Sequence, residues 1–289
     1  MTIPRRTLAA PATVSGLGLF TEAPCSVTIK PADEGIVFTR NGVSIPATIE
    51  HLSSRPAHAA FQAMPPRSTS LDLPDGTVML TVEHLLSALT GHGVTAANIE
   101  IEGPELPIGD GSAQAFSSAI LEAGLVNHDL QASPRTQPLT GFTVGDTRGA
   151  HITVTPAPRP SFVYHLDYGP ESPILAQQAE WDGRPESYAR EVAPARTYCL
   201  DHEARAMHDA GLFRSFTPSD LLVIGEDGPI DNTYRFDNEP ARHKLLDLIG
   251  DLALAGPGLI PARIEAFGSG HALNHEVARR LAHSQRGTV

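Results

Sequence analysis

Three short segments hold the residue types best suited to chemistry. The first is ARHKLLDLIGDLALAG at 241–256. At about 100° per residue along a helix, His243 and Asp247 are i, i+4 neighbours, and Asp251 stands one step further along the same face. Leu245, Leu248 and Leu252 form the opposite, apolar stripe. In the second, TVEHLLSAL at 81–89, Glu83 and His84 open an amphipathic helix whose leucines face away from them. The third, FGSGHALN at 267–274, presents His271 just before a helix, with Gly268 and Gly270 allowing close backbone approach. Each segment alone reads more simply. An i, i+4 His/Asp pair is more often a surface hydrogen bond than a ligand pair, Glu83 suits a solvated first turn favoured by the helix dipole, and His271 suits a surface turn.

Together they make a chemically sensible set. His84, His243 and Asp247 are two imidazoles and one carboxylate, a usual ligand count for catalytic zinc that leaves a position open for water. Glu83 is adjacent to His84 in sequence but about 100° round the helix, free to take a proton from that water. His271 titrates near neutrality and is suited to general acid work, with Asp251 orienting it and raising its pKa. The pattern is not HExxH, because no His stands four residues after His84. Two His and one carboxylate also describe the facial triad of non-heme Fe(II) oxygenases, which would leave Glu83 and His271 without purpose. A third reading is a non-catalytic binding protein with a vestigial site. Other motifs fail: Ser269 lacks the flanking glycines of a nucleophile elbow, and GLGLFTE has Thr21 where a dinucleotide fingerprint needs glycine. The remaining histidines show no ligand spacing and read as surface or structural residues.

The elements that must carry these residues are legible in outline. Short apolar runs punctuated by Gly, Pro, Asn and Asp predict strands at 12–19, 26–29, 35–39, 43–49 and 98–103. Helices are predicted at 81–90 and 112–123, each ended by glycine. The polar stretch 127–137 marks a linker between an N-terminal domain (1–126) and a C-terminal one (138–289). The second domain has predicted strands at 139–144, 151–155 and 161–168, and helices at 187–192, 202–210, 241–255 and 274–283. Sheet followed by helices, twice, is an α+β order.

Composition limits the function classes. The 289 residues are 41% apolar and 19% charged, enough to bury a core, and 21 Lys+Arg against 33 Asp+Glu leave a net charge of -12. An acidic chain without a basic run lacks the footprint that nucleic acid requires. Cys25 and Cys199 form no metal-type pair or disulfide framework, and no export signal or membrane span is visible, so a cytoplasmic setting is expected.

These motifs, with EGPELPIGDGSAQAF at 102–116 and ARTYCL at 195–200, resemble one family closely. It is LpxC, the zinc-dependent UDP-3-O-acyl-N-acetylglucosamine deacetylase of lipid A synthesis, and the likeness runs from RRTLAAPATVSGLGLFTE at 5–22 through GSGHALN. The resemblance implies two α/β-sandwich domains packed through their helices, with the active site in the cleft between them. It further implies one Zn2+ on His84, His243 and Asp247, with Fe2+ as an alternative occupant in the cell. Glu83 would be the base, His271 the acid supported by Asp251, and Thr197 a hydroxyl donor to the oxyanion. Lys244 and Tyr198 match positions that face the substrate, an acylated UDP-sugar, and family members are usually monomers. Three departures concern recognition: Phe20 stands where the family usually has His, Gly268 where it has a basic residue, and FRSFTPSD at 213–220 replaces a Gly-Gly-Ser segment bordering the acyl passage. They leave open a relative that deacetylates another N-acyl amino sugar, or one that binds zinc without catalysis.

Overall fold

Period-two alternation builds the first sheet. In Pro24–Lys30 the side chains of Cys25, Val27 and Ile29 are buried, and in Ala96–Glu102 Ile99 and Ile101 alternate with exposed Asn98, Glu100 and Glu102. The computed structural model describes residues 4–131 and 139–286. Its N-terminal sheet has five strands in the order Ala12–Leu17, Pro24–Lys30, Ala96–Glu102, Gly35–Arg40, Val43–Pro46. Ala96–Glu102 pairs in parallel with Gly35–Arg40, and the other contacts are antiparallel.

The C-terminal sheet repeats this plan. Its order is Phe142–Gly145, His151–Pro156, Ala262–Phe267, Ser161–Leu166, Gln177–Trp181, again with one parallel contact, between Ala262–Phe267 and Ser161–Leu166. The chain is thus two α+β halves of the same connectivity, although no residue repeat announces it. Pro4–Leu8 pairs antiparallel with Leu125–Gln131. The stretch read as a linker at 127–137 therefore begins as strand through residue 131, and its residues 132–137 lie outside the described residues.

The described residues also hold a small three-stranded sheet of Tyr198–Leu200, Leu222–Gly225 and Gly228–Pro229, and six α-helices: α1 Glu83–Gly91, α2 Gln114–Ala123, α3 Pro185–Glu191, α4 Asp201–Asp209, α5 Glu239–Leu252 and α6 His271–Arg286. In each half one helix, α1 or α5, precedes the central strand of the sheet, and another, α2 or α6, follows it. α1 packs on α5, which brings the two halves together through their helices. The simplest reading of α1, with a solvated first turn, does not hold: all nine of its residues are buried. On α5 only Arg242 and Lys244 keep partial exposure. Amphipathic spacing described these helices against one neighbour, whereas each is covered by two.

Gly250 makes the α1–α5 crossing close. A β-carbon at Gly250 would lie 2.1 Å from the backbone oxygen of Glu83, so only a residue without a side chain permits the approach. Replacing glycine by alanine inside a helix normally stabilises by about 1 kcal/mol. Here overpacking costs of roughly 1–3 kcal/mol or more outweigh that gain, because the clash is with backbone and cannot be relieved by a rotamer. Gly250→Ala is therefore expected to lower the denaturation midpoint, the opposite of the ordinary helix effect, and an unchanged or raised midpoint would refute this account of the crossing.

His92 follows α1 and is buried, with its Nε2 2.7 Å from the Ser117 hydroxyl and its ring edge-on to Tyr188. Burial, helped by the Arg6 charge, lowers its pKa from 6.5 to about 4. The folded state therefore resists protonation that the unfolded chain accepts. Stability is complete above pH 6.5 and falls as the pH drops towards 4, by roughly 3 kcal/mol over that window at about 1.4 kcal/mol per unit. In His92→Gln this contribution is absent. Urea melts at pH 7 and pH 4.5 should show a smaller acid loss in the variant than in wild type; equal losses would exclude His92 as the titrating group.

Candidate metal and catalytic site

Positioning begins with two strained or clamped points next to α1. Thr81, two residues before Glu83, has φ of 61°, the left-handed region that a β-branched residue avoids. Its hydroxyl donates to Glu105 Oε1 at 2.8 Å, and Glu105, fully buried, also accepts the Phe20 and Thr21 backbone N–H groups and the Thr21 hydroxyl. The Val82 N–H donates to the Thr69 carbonyl at 3.0 Å. These bonds oppose the strain and aim the first turn of α1 at α5.

His84 from α1 then meets His243 and Asp247 from α5. Their ligand atoms lie within 4.8 Å of one another and all three residues are buried. Asp247 Oδ1 is 3.3 Å from His243 Nε2 and 3.7 Å from His84 Nε2. His243 Nδ1 donates to the Ala195 carbonyl at 3.1 Å, which sets the tautomer and leaves the Nε2 lone pair turned to the site. Burial lowers the His243 pKa to about 3, keeping the ring neutral. Burial opposes the Asp247 charge, but the facing His243 and Lys244 outweigh it and hold the carboxyl well below the usual range. Two imidazole nitrogens and one carboxylate form a donor set that fits a divalent metal of nitrogen/oxygen preference.

Around this set stand the proton-carrying groups. The Thr69 N–H donates to Glu83 Oε2 at 3.0 Å, and burial raises the Glu83 pKa to about 7 against the pull of His271 and His84. His271 opens α6, donates from Nδ1 to Asp251 Oδ2 at 2.8 Å, and places Nε2 4.0 Å from Asp247 Oδ2. Burial disfavours its cation, yet Asp251 prevails and lifts the pKa to about 9. Asp251, no part of whose surface is exposed, also accepts from Asn274 Nδ2 at 2.8 Å and from the Thr69 hydroxyl at 2.5 Å. The Thr69 oxygen in turn takes a bond from His275 Nε2 at 2.7 Å. Asp251, His271 and His275 also lie close enough to hold a metal, but their inward atoms already bond to one another and to Thr69.

The ARTYCL segment closes one side. Arg196 grips Glu239, at the start of α5, with a two-pronged bond of 2.8 and 3.1 Å, both side chains buried. Thr197 N–H donates to Gly111 O at 2.7 Å, and a β-carbon on Gly111, where φ is +84°, would stand 2.9 Å from the Thr197 methyl. Lys244 Nζ bonds Asp247 Oδ2 at 3.0 Å and sits 5.7 Å from the Tyr198 ring centre. Asp247 leads the groups that keep Lys244 charged in spite of its burial.

A cleft of about 1060 Å³ opens from the site, sharing Phe20, Thr197, Lys244 and His271 with it. Phe20 packs edge-on to Phe61 at 5.7 Å and tilted to Phe213 at 5.8 Å, forming an apolar wall. Two of the departures noted in the sequence, Phe20 and the 213–220 segment, thus meet at one place, and the third, Gly268, lines the same cleft.

All nine residues singled out by sequence converge here. Sequence reasoning missed Thr69, Glu105, Gly250, Asn274 and His275. His275 had a usable signal, since it stands four residues after His271 on α6, although it was read as a surface or structural residue. Thr69 had none, because it lies in a loop and acts through its backbone as well as its hydroxyl.

A buried two-His, one-Asp centre between two α+β halves of matching topology, with a carboxylate and a histidine beside it, defines a two-domain protein of the metal-dependent hydrolase type. The chain matches the family model described as LpxC, UDP-3-O-acyl N-acetylglycosamine deacetylase, over residues 5–283, and it belongs to that family. It is 36% identical over 289 residues to a UDP-3-O-acyl-N-acetylglucosamine deacetylase of a Nostoc species, covering 96% of this chain and 98% of the relative. The proteins of the same name from Chlamydia trachomatis serovar L2 and Chlamydia caviae are 34% and 35% identical, with 97% and 96% of both chains covered.

Removing the Thr69 hydroxyl takes a charge-assisted bond from the buried Asp251 and an acceptor from His275. Such a loss costs about 1.5–3 kcal/mol. Thr69→Val should therefore unfold at lower urea concentration than wild type while Thr69→Ser remains close to it, and equal midpoints for Val and wild type would show that the bond is not made.

Proposed function

We propose that this protein hydrolyses the N-acetyl group of UDP-3-O-(3-hydroxyacyl)-N-acetylglucosamine, releasing acetate and the free amine in lipid A biosynthesis. The observation that carries the reading is the convergence of His84, His243 and Asp247 with Glu83 and His271 at the foot of an apolar cleft. The resident metal in this reading is zinc and the compartment the cytoplasm; among the described residues no helix is long and apolar enough to cross a membrane.

When bound by His84, His243 and Asp247, zinc supplies Lewis-acid polarisation and lowers the pKa of the attacking water. Glu83, held by the Thr69 N–H and with a pKa near neutrality, takes the proton from that water as it adds to the acetamide carbonyl. The Thr197 hydroxyl donates to the oxyanion that develops. His271, kept as the cation by Asp251, gives its Nε2 proton to the sugar nitrogen as the C–N bond breaks, so that the amine leaves neutral. Lys244 and Tyr198 face the substrate at the cleft, and the apolar wall of Phe20, Phe61 and Phe213 suits an acyl chain.

The test is mass-spectrometric detection of acetate loss from that substrate by zinc-loaded protein. Glu83→Gln should lower kcat by about 10²–10⁴-fold with zinc content unchanged, and His84→Ala should lose zinc and turnover together. Turnover in Glu83→Gln within threefold of wild type would overturn the assignment of the base, and no turnover by fully loaded wild type would overturn the substrate.

A further inference from the structure

Beside the catalytic groups lies one hydroxyl with no part in the network described above. Ser68 is only 8% exposed, and its Oγ is the single buried side-chain N or O atom among the described residues that makes no hydrogen bond. It lines the inner pocket together with Glu83, His84, Thr197, Lys244 and His271. Leaving a buried hydroxyl unpaired costs about 1–3 kcal/mol, so the position calls for a partner from outside the chain.

The surrounding segment is held rigidly. Thr69 donates its N–H to Glu83, accepts the Val82 N–H on its carbonyl, and engages Asp251 and His275 through its hydroxyl; the next carbonyl, of Ser70, accepts the Ser53 N–H at 2.8 Å. Ser68 is thus attached to the residue that links Glu83 with the Asp251–His271 pair, and its own hydroxyl is spared. A free donor/acceptor on a fixed frame is how a preorganised ligand contact is built.

The pocket limits what that ligand is. A neutral serine hydroxyl is not among the usual zinc ligands. The inner space is small, about 40 Å³, and Glu83 and the metal ligands His84, His243 and Asp247 line it together with Ser68. The part of the substrate that reaches the base and the metal ligands is the reacting acetamido group, which offers both a carbonyl acceptor and an N–H donor to the hydroxyl beside them. We infer that the Ser68 hydroxyl is a substrate-binding contact that hydrogen-bonds the acetamido group of the amino sugar. This inference rests on the function proposed above and extends it to the recognition of the reacting unit.

Steady-state kinetics of zinc-loaded Ser68→Ala, with thermal melting of the same sample, test it. A contact made in both ground and transition states predicts a KM raised about tenfold with kcat within threefold. Because an unsatisfied hydroxyl is being deleted, the melting temperature should stay equal or rise. Ser68→Thr, which keeps the hydroxyl, should bind substrate better than the alanine variant. An unchanged KM in an active Ser68→Ala protein would overturn the inference and assign the hydroxyl to water alone. A lowered melting temperature would overturn it as well, by showing a structural bond. Absence of turnover by wild type would instead overturn the functional reading and this contact with it.

Discussion

The closest constraint in the molecule is the crossing of α1 over α5, where Gly250 admits the Glu83 backbone to a distance that a side chain would block. Glu83, His84, His243, Asp247 and Asp251 are all hung on that crossing. α1 contributes a carboxylate and an imidazole, α5 an imidazole and two carboxylates, and neither helix alone carries a complete set. Two halves of matching sheet topology meet there, so the site is assembled only when both have folded and docked. The same burial that makes the contact tight withdraws the groups from water, where their charges interact far more strongly than on a surface.

Burial of this much charge is tolerated because every carboxylate is answered. Asp247 has His243, His84 and Lys244 close by, Asp251 has His271, Asn274 and Thr69, and Glu239 has Arg196. Glu83 is the exception in kind. Among the described residues the Thr69 N–H is its hydrogen-bond partner, and its pKa rises towards neutrality where those of Asp247 and Asp251 fall. The environments push one carboxyl up and its neighbours down, which separates a group that can accept a proton from groups that hold a charge in place.

The cleft is built on different ground. Glu83, His84, His243, Asp247 and Asp251 sit on α1 and α5 inside the interface, whereas the outer wall of the cleft draws on loop residues and α4, with Phe20, Phe61 and Phe213 in mutual contact. Loops tolerate change more readily than a packed helix crossing. This fits a chain that keeps the acid, base and ligand set proposed above while carrying its expected departures at Phe20, Gly268 and 213–220, in the cleft wall.

Local periodicity was enough to place both helices and the strands around them, because spacing at 3.6 residues per turn is written directly in the order of residues. It brought forward Glu83, His84, His243, Asp247 and Asp251 as candidates on two helices and His271 on the turn before a third, while each segment alone read more simply and only their combination and the family resemblance joined them. The expected strand at 139–144 shifted to Phe142–Gly145, and the helix expected from residue 274 starts at His271, since hydrogen-bond closure rather than composition sets an element's ends. What the order of residues could not express was which faces would be covered twice. α1 reads as amphipathic but is buried all round, because its second neighbour, α5, is over 140 residues away in the chain. Thr69, Glu105, Gly250 and the unpaired Ser68 belong to the same class. Their roles lie in a backbone amide, a clamp between distant loops, an absent side chain and an unmet hydrogen bond, and each of these exists only once the two halves have packed against each other.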